Sequence, residues 1–469
     1  LDLDRIGFED QTVFEVFRRG DTTGVFQFES AGMRRLLTEM KPDRLGDLIA
    51  ANALYRPGPM DLIPDYNQRK HGRAEVPRVH PIVDALVRET HGIMVYQEQV
   101  MQIVHELGGI PLRQAYTLIK AISKKKEKVI NANRDEFIRG AAERGLGEDR
   151  SQALFDLILK FAGYGFNKSH STGYAIVAYQ TAYLKAYFPN HYMAAFLTME
   201  SQAQAVSEWI KYLEDCRRTR FVDPEKKDGR GVAAVVRQGV EVRPPDVNKS
   251  GPDFMVVYEP GEPRTARHGH VRFGLKAIKG AGGKAIEAIV CEREGGGADG
   301  VPGGGGAKAF TSLFDFCERV PSTACNKATI EALVKAGAFD SVHGRERRSS
   351  MVATIESAVS AGQKIAQDRA SGQSQLFGFG GDEGAEEEAG GIGAEVTLVP
   401  VPAWGESELL KQEKDTLGFY ISSHPLEQWG AWARVFTQMT VESLKTVVQD
   451  GRVLVPVLVQ SCRTIVARN

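Results

Sequence analysis

Long apolar runs are missing from this 469-residue sequence; no uninterrupted stretch approaches the ~20 residues a membrane-spanning helix needs. The first residues carry no charged-then-apolar leader pattern. Cysteine is scarce. The five present are Cys216, Cys291, Cys317, Cys325 and Cys462, and none has the paired spacing of a zinc site. A disulfide scaffold is excluded, and reduced thiols in a cytoplasmic protein are expected. Excess charge of one sign is also missing. The net charge is −1, which taken alone argues against a nucleic-acid binder. The average conceals an asymmetry. Residues 111–140 carry eight Lys/Arg against three Asp/Glu, and residues 382–395 carry six acidic residues and no basic one. A local basic face binds phosphates whatever the chain total.

What remains is ordinary soluble-protein composition, 42% hydrophobic and 25% charged, at a length that suits two to four domains. No methionine begins the sequence. The closing apolar run, Val453 to Val459, has no further strand after it, so both ends read as cut from a longer polypeptide. Residues 1–20 predict an amphipathic helix, and residues 21–215 are mostly helical in pattern. Leu154, Leu157, Ile158 and Phe161 share one helical face; Val206, Trp209, Ile210 and Leu213 repeat the spacing. Both stripes read as core. A helix running from about Tyr174 should stop before Pro189. Residues 232–275 are strand-like around a Pro244-Pro245-Asp246 turn.

Two short helical units follow within 271–345. The first contains Ile278-Lys279-Gly280-Ala281-Gly282-Gly283-Lys284, the second Lys335-Ala336-Gly337-Ala338-Phe339-Asp340. A glycine hairpin ahead of a helix exposes backbone N–H groups to a phosphate oxygen, without reading sequence. The first copy fits this helix-hairpin-helix pattern. The second is degenerate and suits packing against the first. The Gly-rich insert around 295–306 reads as flexible. Residues 361–400 turn to Gly, Ala and Glu, the composition of a linker, and hold Gln373-Ser374-Gln375-Leu376-Phe377.

Residues 163–173 are the most informative stretch. Gly163 and Gly165 free the backbone, Lys168 and His170 bring positive charge, and Asn167, Ser169, Ser171 and Thr172 bring donors. A helix-period segment follows at once. A donor-rich loop at a helix N-terminus favours an anion, a triphosphate for example. A polar capping loop between two helices is the plainer alternative.

Several segments together resemble one family. They are Thr22-Thr23-Gly24-Val25-Phe26-Gln27-Phe28-Glu29-Ser30, Tyr55-Arg56-Pro57-Gly58-Pro59-Met60, Arg69-Lys70-His71-Gly72, and Gly92-Ile93-Met94-Val95-Tyr96-Gln97-Glu98-Gln99-Val100-Met101. Phe161 to Ser171, Pro244-Pro245-Asp246-Val247-Asn248 and Leu417 to Pro425 continue the series. In this order they resemble the bacterial C-family replicative polymerases, the DNA polymerase III alpha subunits, over almost the whole chain.

The resemblance implies a mainly α fold with small β parts. Its domains would be the end of the palm connector (1–20), fingers (21–250), helix-hairpin-helix (251–350), a linker with a clamp-binding motif (351–400), and the lead-in and first strand of an OB-fold (401–469). It implies template-directed DNA synthesis from dNTPs with release of pyrophosphate. Mg²⁺ would be held by a Pro-Asp-x-Asp-x-Asp motif and a third aspartate. Neither is found here, and Asp2 and Asp4 in Leu-Asp-Leu-Asp are decoys. No catalytic or metal-binding residue is therefore expected in this chain, which alone should be inactive.

Candidate phosphate-binding residues are Lys168, His170, Asn167, Ser169, Arg56 and Lys120. Arg56 could instead hold carbonyls of its own turn, and His170 could be a core histidine. The family has two arginines where this chain has Ile119-Lys120, which weakens a two-arginine clamp, since lysine lacks the bidentate fork. Candidate DNA contacts are Lys124, Lys125, Lys126, Gly280, Gly282 and Lys284. Gln373, Leu376 and Phe377 match a clamp-docking peptide. The implied partners are primer-template DNA, dNTP, the sliding clamp and other holoenzyme subunits, with no membrane. The alternatives are a stand-alone DNA- and clamp-binding adaptor, or an error-prone paralogue.

Overall fold

The computed structural model describes residues 1–162, 165–203, 206–295, 308–370, 397–437, 439 and 452–457. The architecture is mainly helical with small sheets, in two compact units. The first comprises residues 1–192 and 217–239, the second 193–216 and 240–469.

The first unit contains α1 (Gln11–Arg18), α2 (Ala31–Met40), α3 (Leu45–Leu54), α4 (Ile63–Lys70), α5 (Pro81–Leu86), α6 (Gln97–Glu106), α7 (Leu112–Ser123), α8 (Glu127–Glu143), α9 (Glu148–Ala162) and α10 (Lys168–Tyr187). The helix expected over 1–20 is confined to α1. Asp10 caps it by accepting from the Thr12 amide at 2.8 Å, and the residues before it make only a short 3₁₀ turn.

Two cores organise this unit. In the first, α10 runs against α1 and α3. Ala175, Ala178, Tyr179, Ala182 and Ala186 form its buried face, and the small residues let α3, buried over Leu48 to Leu54 except Asn52, come close. Tyr179 meets the rings of Phe8 and Phe14 at 5.4 and 5.3 Å. As expected, α10 ends before Pro189. The second core joins α6 through α9. Leu154, Phe155 and Ile158 are buried in it, but Leu157 is 42% exposed, so the α9 core face is narrower than the sequence stripe. A Cβ on Gly140 would lie 2.0 Å from the Gly108 carbonyl oxygen, so glycine sets the close approach of α8 there.

The Arg69-Lys70-His71-Gly72 segment has a structural role. Lys70 Nζ donates to the fully buried Asp47 at 2.8 Å and to Asp43 at 3.0 Å, tying α4 to the start of α3. Tyr66 Oη adds a bond to Asp47 at 3.3 Å, and burial pushes its hydroxyl pKa above the usual tyrosine value. A two-stranded antiparallel ribbon, β1 (Arg220–Lys227) with β2 (Ala233–Gln238), completes the unit.

α11 (Pro189–Ala203) and α12 (Val206–Arg218) cross the chain boundaries of the two units. In the second unit, Trp209, Tyr212 and Cys216 form the buried face of α12. Ile210 is 49% exposed, against the sequence stripe. A three-stranded sheet has β3 (Val242–Arg243) parallel, and β4 (Met255–Val257) antiparallel, to the central β5 (His270–Arg272). Trp209, Phe254, Phe273 and Phe419 cluster around its end. The Pro244 to Asn248 segment is a brace. Val247 N–H donates to the Ala338 carbonyl at 2.8 Å, and the Asn248 side chain and the Phe310 backbone exchange two hydrogen bonds.

The remaining helices are α13 (Gly283–Arg293), α14 (Leu313–Arg319), α15 (Lys327–Lys335), α16 (Asp340–His343), α17 (Arg348–Ala370), α18 (Glu406–Leu417) and α19 (Gly430–Phe436). α17 makes the first part of the expected linker, through residue 370, helical. α18 ends on Gly418 at φ 86°, and the buried Glu413 carboxylate accepts from the Ser422 amide and hydroxyl, fixing the Leu417 to Pro425 segment. The described part of the closing apolar run, 452–457, forms no strand. The rest of that run, the Gly-rich insert over 296–307, and Gln373, Leu376 and Phe377 lie outside the described residues.

Candidate nucleotide and nucleic-acid contact sites

The loop ahead of α10 is pinned before the helix begins. Phe166 N–H donates to the Val95 carbonyl at 3.3 Å, Gln97 N–H donates to the Phe166 carbonyl at 2.9 Å, and Gln97 Nε2 donates to the Gly165 carbonyl at 2.9 Å. Buried Gln99 holds the other side of this bridge. Its Oε1 accepts from the Val95 and Tyr96 amides at 2.9 and 3.0 Å. Four residues of the Gly92 to Met101 segment thus fix where α10 starts.

Asn167 is the N-cap, its Oδ1 accepting from the His170 amide at 2.8 Å. The helix end is not vacant. Glu98 accepts from the Lys168 amide at 3.0 and 3.2 Å and from Asn167 Nδ2 at 2.9 Å. Lys168 Nζ donates to both Glu89 oxygens, at 2.7 and 2.8 Å, over the Tyr96 ring. A carboxylate therefore occupies the donors of the helix N-terminus, which is the chemistry an anion seat favours. Neither Glu98 nor Glu89 was singled out from the sequence. Their contacts span 69 to 79 residues, and no local pattern encodes them.

Arg56, Phe166, His170 and Tyr174 form a continuous row. The Arg56 guanidinium lies 4.2 Å from the Phe166 ring centre; Phe166 and His170 are 5.5 Å apart, and His170 and Tyr174 4.5 Å. Arg56 Nε also donates to the Ala53 carbonyl at 2.9 Å, so it does hold its own turn. Burial lowers its pKa from the usual arginine value. His170 is exposed, which overturns the core-histidine alternative. Ser169 is exposed beside it, whereas Ser171 is buried and donates to the Ile49 carbonyl at 2.7 Å.

Lys120 stands elsewhere, at the end of α7, its Nζ 4.2 Å over the Tyr116 ring. Ile119 is 4% exposed, within the second core. Lys124, Lys125 and Lys126 form the exposed turn between α7 and α8, with Lys125 in the left-handed region at φ 51°.

The two hairpins of the second unit differ sharply. Gly280 takes φ 91°, and a Cβ at Gly282 or Gly283 would meet nothing within 4 Å. Gly282, Gly283 and Lys284 are exposed, and Gly282 caps α13 without a side-chain bond, leaving the helix end open. At the second hairpin, a Cβ on Gly337 would lie 2.2 Å from Arg348 Nη2. Arg348 is 1% exposed, pairs with Asp340 and donates to the Lys335 carbonyl at 3.2 Å. That hairpin is filled by its own protein, through Arg348.

Among the described residues no group of three or more His, Cys, Asp or Glu side chains is arranged to hold a metal ion. Asp2 caps the first 3₁₀ turn through the Asp4 amide at 3.1 Å and pairs with Arg5 at 3.3 Å. No described helix is long and apolar enough to cross a membrane.

The family model of the bacterial DNA polymerase III alpha subunit finger domain matches residues 1–145, and that of the helix-hairpin-helix motif matches residues 239–350. The α10 loop lies between the two matches. The DNA polymerase III subunit alpha of Neisseria meningitidis serogroup A is 37% identical over 470 residues, covering 100% of this chain and 36% of the relative. That of Thermus aquaticus is 39% identical over 456 residues, covering 96% and 32%; that of Bacillus subtilis is 34% identical over 458 residues, covering 96% and 35%. The chain thus spans about a third of the length of these relatives. Two family models in sequence order and similarity running along nearly the whole chain agree: the chain is similar over its length to about a third of the length of the bacterial DNA polymerase III alpha subunits.

Proposed function

We propose that this chain supplies the nucleotide- and DNA-handling fingers, a duplex-binding helix-hairpin-helix and a clamp-docking segment of a cytoplasmic replicative DNA polymerase. The reaction it serves is template-directed addition of dNTPs with release of pyrophosphate, in a holoenzyme with further subunits. Mg²⁺ would support that chemistry, held by carboxylates other than those of this chain. In this reading residues 1–20 are a connector, 21–250 the fingers, 251–350 the helix-hairpin-helix part, 351–400 the clamp-docking linker and 401–469 the approach to an OB-fold.

The observation that carries the reading is the α10 N-terminus, where Asn167 Nδ2 and the Lys168 amide converge on the Glu98 carboxylate and Lys168 Nζ holds a second carboxylate, Glu89. A phosphate oxygen accepts the same bonds with more charge. Lys168, Asn167 and Ser169 would hold the triphosphate. His170 and Arg56, joined through Phe166, would stand beside it, and Lys120 would contribute from α7. Lys124, Lys125 and Lys126 would meet DNA phosphates. Gly280, Gly282 and Lys284 would let the backbone approach a duplex phosphate without reading a base. Gln373, Leu376 and Phe377 would dock on the sliding clamp, one hydrogen-bonding side chain followed by two apolar anchors.

The test combines three assays on this chain. It should bind primer-template DNA and retain the sliding clamp, and changing Gln373 and Phe377 to Ala should abolish clamp retention. It should not extend a primer with Mg²⁺ and dNTPs. Extension above background would overturn the assignment of no catalytic carboxylates to this chain.

A further inference from the structure

We propose that the exposed face of α7 and the turn after it bind single-stranded nucleic acid, with Tyr116 stacking on an unpaired base. The inference rests on the DNA-binding reading of Lys124 to Lys126 and names the form of nucleic acid that this face takes. Arg113, Tyr116, Lys120 and Lys124 recur at three- and four-residue intervals and are all exposed, so they form one stripe along the helix. Lys125 and Lys126 extend it.

Tyr116 is 47% exposed although its ring is large and apolar, and it interrupts a row of cations. A basic row alone binds duplex and single strand alike, because both present phosphates. An exposed ring set among cations adds something that only an unpaired base can use: a face on which to stack. Lys120 rests over that ring at 4.2 Å. An arriving base can take the ring while the ammonium swings to the adjacent phosphate, so both partners of the resting contact find a ligand group. From Arg113 to Lys124 the helix rises about 16 Å. That is room for up to about four or five phosphates at the ~3.4 Å rise of a stacked strand, and fewer for an extended one. Competing carboxylates are few. Glu136 is engaged by Gln114 Nε2 at 2.7 Å, and exposed Glu127 opens the next helix.

The test is fluorescence anisotropy of this chain with a labelled dT12 strand and with a blunt 12-base-pair duplex, each over a range of NaCl. Tyr116→Ala should weaken dT12 binding by about 5- to 100-fold and leave the duplex unchanged, with an unaltered melting curve because the ring is exposed. Tyr116→Phe should bind dT12 as the unaltered chain does, since stacking needs no hydroxyl. Lys120→Ala should reduce the dT12 salt slope by about 0.7. The proposal is overturned if Tyr116→Ala leaves dT12 binding unchanged or weakens both probes equally. If the lysines matter for duplex binding while Tyr116 does not matter for dT12, only this inference falls. If the unaltered chain binds neither probe, the DNA-binding reading of the turn falls with it.

Discussion

Glu98→Gln is the substitution that bears most directly on the α10 site. In the resting structure Glu98 accepts from the Lys168 amide and from Asn167 Nδ2. A triphosphate seated at the helix N-terminus must displace this carboxylate and then sit beside a negative charge. Two unit charges about 4 Å apart repel by about 1 kcal/mol in water and about 4 kcal/mol at a surface-like dielectric. Asn167 is exposed and Lys168 half-buried, so about 1–2 kcal/mol is reasonable for this site. Glutamine keeps one oxygen to accept from the helix amide, so the fold loses only the charge–dipole part, about 0.3–1 kcal/mol. Glu98→Gln should therefore tighten binding of inorganic tripolyphosphate by about 5- to 30-fold. Titration calorimetry at fixed salt measures it. Lys168→Ala is the companion. It should remove most of the binding yet change stability by less than about 1 kcal/mol, because its pair with Glu89 is partly exposed. Unchanged or weaker tripolyphosphate binding in Glu98→Gln, with α10 intact by hydrogen exchange, would refute competition. The loop would then be only a capping loop.

Other outcomes follow from the second unit. Asp340→Asn leaves the Arg348 guanidinium buried without its counter-ion, and should destabilise the unit by about 2–4 kcal/mol in urea melts followed by Trp209 fluorescence. Gly337→Ala should cost about 1–2 kcal/mol from its left-handed backbone alone, and more from its clash with Arg348. Gly282→Val should lower stability by about 1 kcal/mol, since valine is a poorer N-cap than glycine, and weaken duplex binding several-fold, since the added side chain would stand between the backbone and a phosphate. His270 introduces a pH dependence. Burial, with Arg243 and Arg272 nearby against Glu241 and Glu259, holds its pKa at about 4, and its Nε2 accepts from Arg272. A depressed folded pKa means the contribution is complete above about pH 6.5 and is lost as pH falls through about 4. His270→Gln should flatten acid melts over that window.

The sequence made much of the first unit legible, because its signals are local. The α10 stop before Pro189, the Asn167 cap and the exposed lysine turn depend on neighbours within a few residues. Periodicity misplaced Leu157 and Ile210, since a stripe defines a face but not how wide a facing element covers it. Nothing local in the Arg69 to Gly72 segment tells its role, which is that Lys70 is spent on Asp47 in the interior. Only the fold brings that carboxylate to it.

The glycine hairpins make the same point about function. Gly280 and Gly337 both take the left-handed region, at φ 91° and 86°, and each lies in a turn between helical segments. By local sequence they are a fair copy and a degenerate copy of one device. What separates them is Arg348, eleven residues beyond the second glycine, which fills that turn and leaves no backbone for a phosphate to reach. The first hairpin has no such residue, and its Gly282-Gly283 end stays open. A backbone that approaches phosphate depends on empty space, and emptiness is a property of the packed chain rather than of any motif. For that reason the first hairpin carries the duplex contact in our reading, and the second carries stability.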